Sequence, residues 1–178
     1  LKLLSLNSII GQAVGESTYQ FRAAFVNTLW PLWAVGFSTV LSSIGAAASY
    51  WYSGKLIKKI GAYRLLLIAN LYSKTINVAS VAVATVISPV LMSTTSLFLG
   101  VSKVANSKLI QQEFTDEQRA TLGSITSFLG NLAFSVFAVV LGILADRFGP
   151  TKALLFAYLS YLPSLGINWV LYKDNKNG

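Results

Sequence analysis

Along this chain the apolar residues gather into long runs separated by short polar connectors. The longest lies between Arg119 and Asp146, where 26 consecutive residues carry no charge. An α-helix needs about 20 apolar residues to cross the hydrocarbon core of a bilayer. Similar runs cover residues 23–53, 65–87 (interrupted only by Lys74), 89–102 and 153–172. The pattern predicts six membrane helices, over about residues 3–21, 32–52, 65–87, 88–112, 115–145 and 151–172. Trp30-Pro31 and Gly149-Pro150 break the pattern. Ser88-Pro89 reads as an N-cap followed by proline at the first helical position. Thr115 with Gln118 gives a capping box, with Asp116 and Glu117 at the positive end of the helix dipole. Pro163, within the sixth run, predicts a kink. The first helix is the most polar, carrying Gln12 and Glu16 with Arg22 just beyond its end. The fold class expected is all-α, a polytopic membrane protein.

Composition sharpens this picture. Charged residues are 11% of the 178 and hydrophobic residues 54%, with a mean hydropathy of +0.60. Soluble domains carry roughly a quarter charged residues, enough to cover a core with polar surface. With no Cys and no His, disulfides, thiolate metal sites, cysteine nucleophiles and imidazole bases are excluded. No cofactor or metal site is expected. The net charge of +8 does not indicate a nucleic-acid partner, because the Lys and Arg residues cluster between apolar spans and form no single basic face. Basic excess in a membrane protein marks cytoplasmic loops. If the connector over residues 54–64 is cytoplasmic, then Lys2, Lys55, Lys58, Lys59, Arg64, Lys108, Arg119, Lys173 and Lys176 all lie inside. Arg22, Arg147 and Lys152 lie outside, and Lys74 and Lys103 sit at membrane depth. Both ends of the segment are therefore expected in the cytoplasm, in a multi-pass protein of a bacterial cell membrane. The chain begins at Leu1 with neither an initiator Met nor a basic signal region, so it reads as a piece of something longer.

The connectors after the second and fifth helices superpose without a gap. Seven residues separate Gly54 from Gly61, and seven separate Gly142 from Gly149. Three residues further on stand Arg64 and Lys152, each followed by a double leucine. Three helices separate the two connectors, which puts them on opposite membrane faces. The arrangement expected is two inverted three-helix repeats, residues 1–87 and 88–178, a design that transporters use for alternating access.

Two inverted triplets resemble one half of a major facilitator superfamily transporter. The connector Gly54-Lys55-Leu56-Ile57-Lys58-Lys59-Ile60-Gly61-Ala62-Tyr63-Arg64 resembles that family's Gly-x-x-x-Asp-x-x-Gly-Arg-x-x signature. It departs from it at Lys58, which stands at the acidic position, and at Ala62, which stands at the first basic one. Gly142-Ile143-Leu144-Ala145-Asp146-Arg147-Phe148-Gly149 keeps the acid and the second Gly. The block over residues 114–124 is similar to the loop before helix eleven of bacterial members, and residues 16–24, with Tyr19 and Arg22, to the segment after helix seven. The resemblance implies helices seven to twelve, with the N-terminal six-helix half of the same polypeptide as partner.

A permease needs polar side chains facing a cavity and two packings of similar energy. Ionisable residues at membrane depth are functional candidates by default. Lys103 is one, facing either an anionic solute or proton, or else the membrane interface or Glu113. Lys74, beside Asn77, is better explained by pairing with a neighbouring helix. Gln12 and Glu16 share a helix face one turn apart; Glu16 either meets a cation or proton or pairs with Arg22. Asn131, in the uncharged fifth helix, must bond either a solute or another helix. Asp116, Arg119, Asp146 and Arg147 read as structural, locking one gate conformation through ion pairs. Gly36, Gly45, Gly123 and Gly130 supply close-packing surfaces. The substrate-binding candidates are thus Gln12, Glu16, Lys103 and Asn131.

Secondary transport of a small solute, coupled to a proton or ion gradient, is the leading expectation. The alternatives are a six-helix membrane scaffold and a homodimeric half-transporter. No Walker-type loop is present for ATP coupling. Within their apolar runs, residues 32–52 and 120–145, the second and fifth helices carry no acidic or basic side chain, which argues against an intramembrane enzyme. The partners expected are a small-molecule solute and the lipid bilayer.

Overall fold

The apolar runs are helical over most of their length. The computed structural model describes the backbone of residues 2–113 and 116–177 and the side chains of residues 3–112 and 121–173. Its helices are α1 (Lys2–Asn27), α2 (Leu32–Ile60), α3 (Ala62–Val83), α4 (Ser88–Thr94), α5 (Leu99–Glu113), α6 (Asp116–Phe148), α7 (Pro150–Ser160) and α8 (Pro163–Asn177), with a 3-10 turn over Thr95–Phe98. No strand occurs among the described residues. Four stretches are long and apolar enough to cross a membrane: Leu32–Ile60, Ala62–Val83, Thr121–Phe148 and Pro150–Lys173. The first and fourth expected spans do not reach that standard. At 26 residues α1 is long enough, but Gln12, Glu16 and Arg22 dilute its hydropathy. The fourth is divided by the 3-10 turn and carries Lys103 and Lys108 in its second half.

The boundaries differ from the expected ones where helix propensity outlasts the apolar run. The basic connector is no loop: α2 continues through Lys58 and Lys59, whose charges suit a helix C-terminus. The reversal falls on Gly61 alone, at φ 88° and ψ 148°. The only other described glycine at positive φ is Gly149, at φ 85° and ψ 159°. The two turns bond alike. Gly61 N–H donates to the Ile57 carbonyl (3.0 Å) and Gly149 N–H to that of Ala145 (2.9 Å). Leu65 N–H then returns to Gly61 O (3.1 Å) and Ala153 N–H to Gly149 O (3.2 Å). Ser88 is the first helical residue and not the cap. Its Oγ reaches back to accept the Thr85 N–H (2.9 Å), closing the turn that precedes α4. Thr115 and the side chains of Asp116, Glu117, Gln118 and Arg119 lie outside the described residues.

Two helix breaks free backbone groups for contacts across the bundle. At the 3-10 turn, an unbroken helix would pair Val101 N–H with the Leu97 carbonyl. Here Val101 N–H donates to Ser49 Oγ (3.1 Å) and Leu97 O accepts the Tyr52 hydroxyl, both from α2. At Pro163 the missing N–H separates α7 from α8, and bonds of the i to i−3 kind carry the chain across, Tyr161 to Tyr158 and Ser164 to Tyr161.

The elements pack crosswise. α1 lies along α6, while α2 lies along the α4–α5 rod. α1 also meets α7 and α8, as α4 and α5 meet α3, and α3 faces α7 and α8. One apolar cluster, Leu4, Ile57, Ala62, Leu66, Ala105 and Leu109, fills the end that carries the Gly61 turn. Another, Phe25, Val26, Val81, Met92, Leu154 and Tyr158, fills the end that carries the Gly149 turn. The outer faces are apolar too. Trp33, Phe37, Ile44 and Trp51 on α2 and Phe128, Leu132, Val136, Val139 and Ile143 on α6 are exposed at helical spacing. A contiguous apolar surface of this extent is unsuited to water and suited to hydrocarbon.

Candidate functional site: polar seams between the helices

Near the middle of α1 and α6, two of the expected site residues meet. Gln12 Nε2 donates to Asn131 Oδ1 at 2.7 Å. The approach is possible because Gly130 faces Gln12: a Cβ there would overlap the Gln12 amide. The expected partner for Asn131 on another helix is therefore a second amide. An amide pair leaves donors and acceptors on both side chains unused, so the seam offers neutral, two-way hydrogen bonding. Glu16 is exposed one turn along α1. It does not pair with Arg22, which reaches instead across to α4, donating to Ser93 Oγ (2.8 Å) and the Pro89 carbonyl (3.3 Å). Ser93 is itself tied to α2, accepting from Ser42 Oγ (3.1 Å) and donating to Ser38 O (3.2 Å). A guanidinium can serve two acceptors at once through its fork of N–H groups, so Arg22 joins α1, α4 and α2.

Lys103 lies apart from the amide pair. It is exposed, and with Tyr50, Ser107, Lys108 and Gln111 it lines a groove of about 390 Å³ between α2 and α5. The Glu113 side chain, its alternative partner, lies outside the described residues. Asp146 and Arg147 are exposed at the far end of α6.

Lys74 is the most deeply placed charge, with 3% of its surface exposed. It does meet a neighbouring helix, and at a break. Its Nζ donates to Ser164 Oγ at the start of α8 and lies 4.1 Å from the centre of the Tyr161 ring. Ser164 O accepts from Asn168 Nδ2 (2.8 Å), and Asn168 Oδ1 accepts from Asn7 of α1 (3.2 Å). A continuous polar chain thus crosses the bundle from α1 through α8 to α3. Buried amides and amines without such partners cost several kcal/mol in hydrocarbon, which is why these residues find one another.

Sequence reasoning identified Gln12 and Asn131 but not their pairing. It missed Arg22–Ser93 because the first helix was expected to end at Phe21, before Arg22. It also missed Asn7–Asn168, whose signal, single asparagines in apolar runs, was present. No protein-family model and no curated protein matches the chain.

Proposed function

We propose that this chain is a membrane-embedded half of a secondary transporter of the major facilitator type. It would move a small solute by alternating access, coupled to a proton or ion gradient. The observation that carries the reading is the equivalence of the Gly61 and Gly149 turns. Two reversals, each after the second helix of a triplet, share dihedral angles and hydrogen bonds. The crosswise packing, α1 on α6 as the α4–α5 rod on α2, relates the same two triplets. Six membrane-crossing rods in two inverted repeats account for both, with α4–α5 and α7–α8 each counted as one rod. α1 then crosses despite its polar residues because Gln12 and Arg22 are satisfied by other helices, and Lys103 on the α4–α5 rod opens onto a groove.

On this reading the Gln12–Asn131 seam is the solute site, with Glu16 one turn away as its flanking charge, while Lys103 serves the separate groove between α2 and α5. A seam of amides suits a polar, hydroxyl- or carbonyl-bearing solute. The partner is a second six-helix half.

The chain is free of cysteine, so single cysteines report topology directly. Lys59→Cys and Arg147→Cys, both at exposed positions, should label with an impermeant maleimide from opposite sides of sealed vesicles. Labelling from one side ends the inverted-repeat reading. Gradient-driven uptake by the reconstituted chain together with a second half, lost in Asn131→Leu, is the expected transport result. Topology as expected, with no solute taken up, would favour the scaffold.

A further inference from the structure

At the end of the bundle that carries the Gly61 turn, three elements converge on an open groove of about 320 Å³. Gly61, Tyr63 and Arg64 line it from the α2–α3 turn, Lys108 and Gln112 from the end of α5, and Tyr172 from α8. None of its described lining residues is acidic. Neither Arg64 nor Lys108 forms an ion pair among the described residues. Lys55, Lys58 and Lys59 stand exposed on the last turns of α2 beside it. Two cations facing one groove repel each other, and an apolar or neutral lining does nothing to relieve that. Their convergence gives the groove a positive potential that attracts an anion.

We propose that this groove binds a phosphate-bearing anion, held between the Arg64 guanidinium and the Lys108 ammonium. The fork of Arg64 matches two phosphate oxygens, and Lys108 adds a point charge from the opposite wall. The first turn of α3 has no side-chain cap and adds a favourable dipole end. Tyr63 and Tyr172 are amphipathic side chains suited to headgroup level. A groove at a helix-bundle end, basic and flanked by tyrosines, fits the phosphate of an anionic phospholipid whose acyl chains lie along the apolar outer faces. The proposal rests on the membrane placement of the bundle and not on transport, so its test reads lipid retention alone.

The purified chain, exchanged from detergent into equal mixtures of phosphatidylglycerol and phosphatidylcholine, should retain phosphatidylglycerol preferentially by native mass spectrometry. Arg64→Gln with Lys108→Gln should weaken that retention about thirtyfold, each basic residue near the surface contributing roughly fivefold. The charge-matched control Arg147→Gln with Lys152→Gln, at the other end, should leave it unchanged. Arg64→Lys guards against a folding defect and should keep most of the binding, with helicity checked by circular dichroism. Displacement by millimolar inorganic phosphate would assign the site to free phosphate, and resistance to it would assign the site to lipid; either supports the anion site. Equal losses in both double variants, or no loss in the first, overturn it.

Discussion

Gly100 offers a sharp test of how α2 and α5 meet. A Cβ at position 100 would stand 2.5 Å from the backbone nitrogen of Tyr50 and 2.8 Å from the carbonyl carbon of Ser49. Both neighbours are main chain and cannot rotate away. Ordinary contact needs about 3.5 Å, so Gly100→Ala must push the helices apart by roughly 1 Å. That separation would also strain the Ser49 Oγ contact to Val101 N–H, at 3.1 Å. Overpacking of this kind costs about 1–3 kcal/mol. Replacing a helical glycine by alanine returns about 1 kcal/mol through backbone propensity. Gly36→Ala is the matched control, because nothing lies within 4 Å of a Cβ there, and it keeps only the gain. The two variants should therefore differ by about 1–3 kcal/mol, with Gly36→Ala the more stable. At roughly 2–4 °C per kcal/mol for a chain of this size, thermal unfolding in detergent should separate their Tm values by about 2–12 °C. Equal Tm values for the two variants would refute the close α2–α5 approach.

Other perturbations probe the polar seams. A double-mutant cycle on Gln12→Ala and Asn131→Ala, read by unfolding in denaturing detergent, should return a coupling of about 0.6 kcal/mol, typical of interhelical hydrogen bonds in membranes; zero coupling would dissolve the pair. Gly130→Ala should leave stability within about 1 kcal/mol, because the clash is with a side chain that can turn, yet it should abolish any solute binding that depends on Gln12. Ser164→Ala removes the hydroxyl that Lys74 donates to and should cost about 1–3 kcal/mol, as expected for a bond to a charged group. In a Lys74→Met background the same change should cost far less, since a well-packed apolar replacement removes the need for the partner; equal costs in both backgrounds would break the link between them.

The sequence alone determined the class of this protein. Uncharged runs such as residues 120–145 favour helices long and apolar enough to cross a membrane, because backbone polar groups among apolar side chains are best satisfied within their own segment. It also marked the punctuation, since only glycine adopts the positive φ seen at Gly61 and Gly149 without strain. Even the break at Pro163 was legible, because a missing N–H is a property of one residue. The helix ends were less so: the basic residues after Ser53 look like a loop by hydropathy, yet they continue α2 because Lys is a good helix former at a C-terminus. What the tertiary structure decided is which polar residue meets which. Gln12 and Asn131 are 119 residues apart, and Lys74 and Ser164 are 90. No local rule connects them. Their pairing depends on the rotation and depth at which helices pack, which is set by the close approach of glycines such as Gly100 and Gly130 and by the cost of leaving any buried polar group alone.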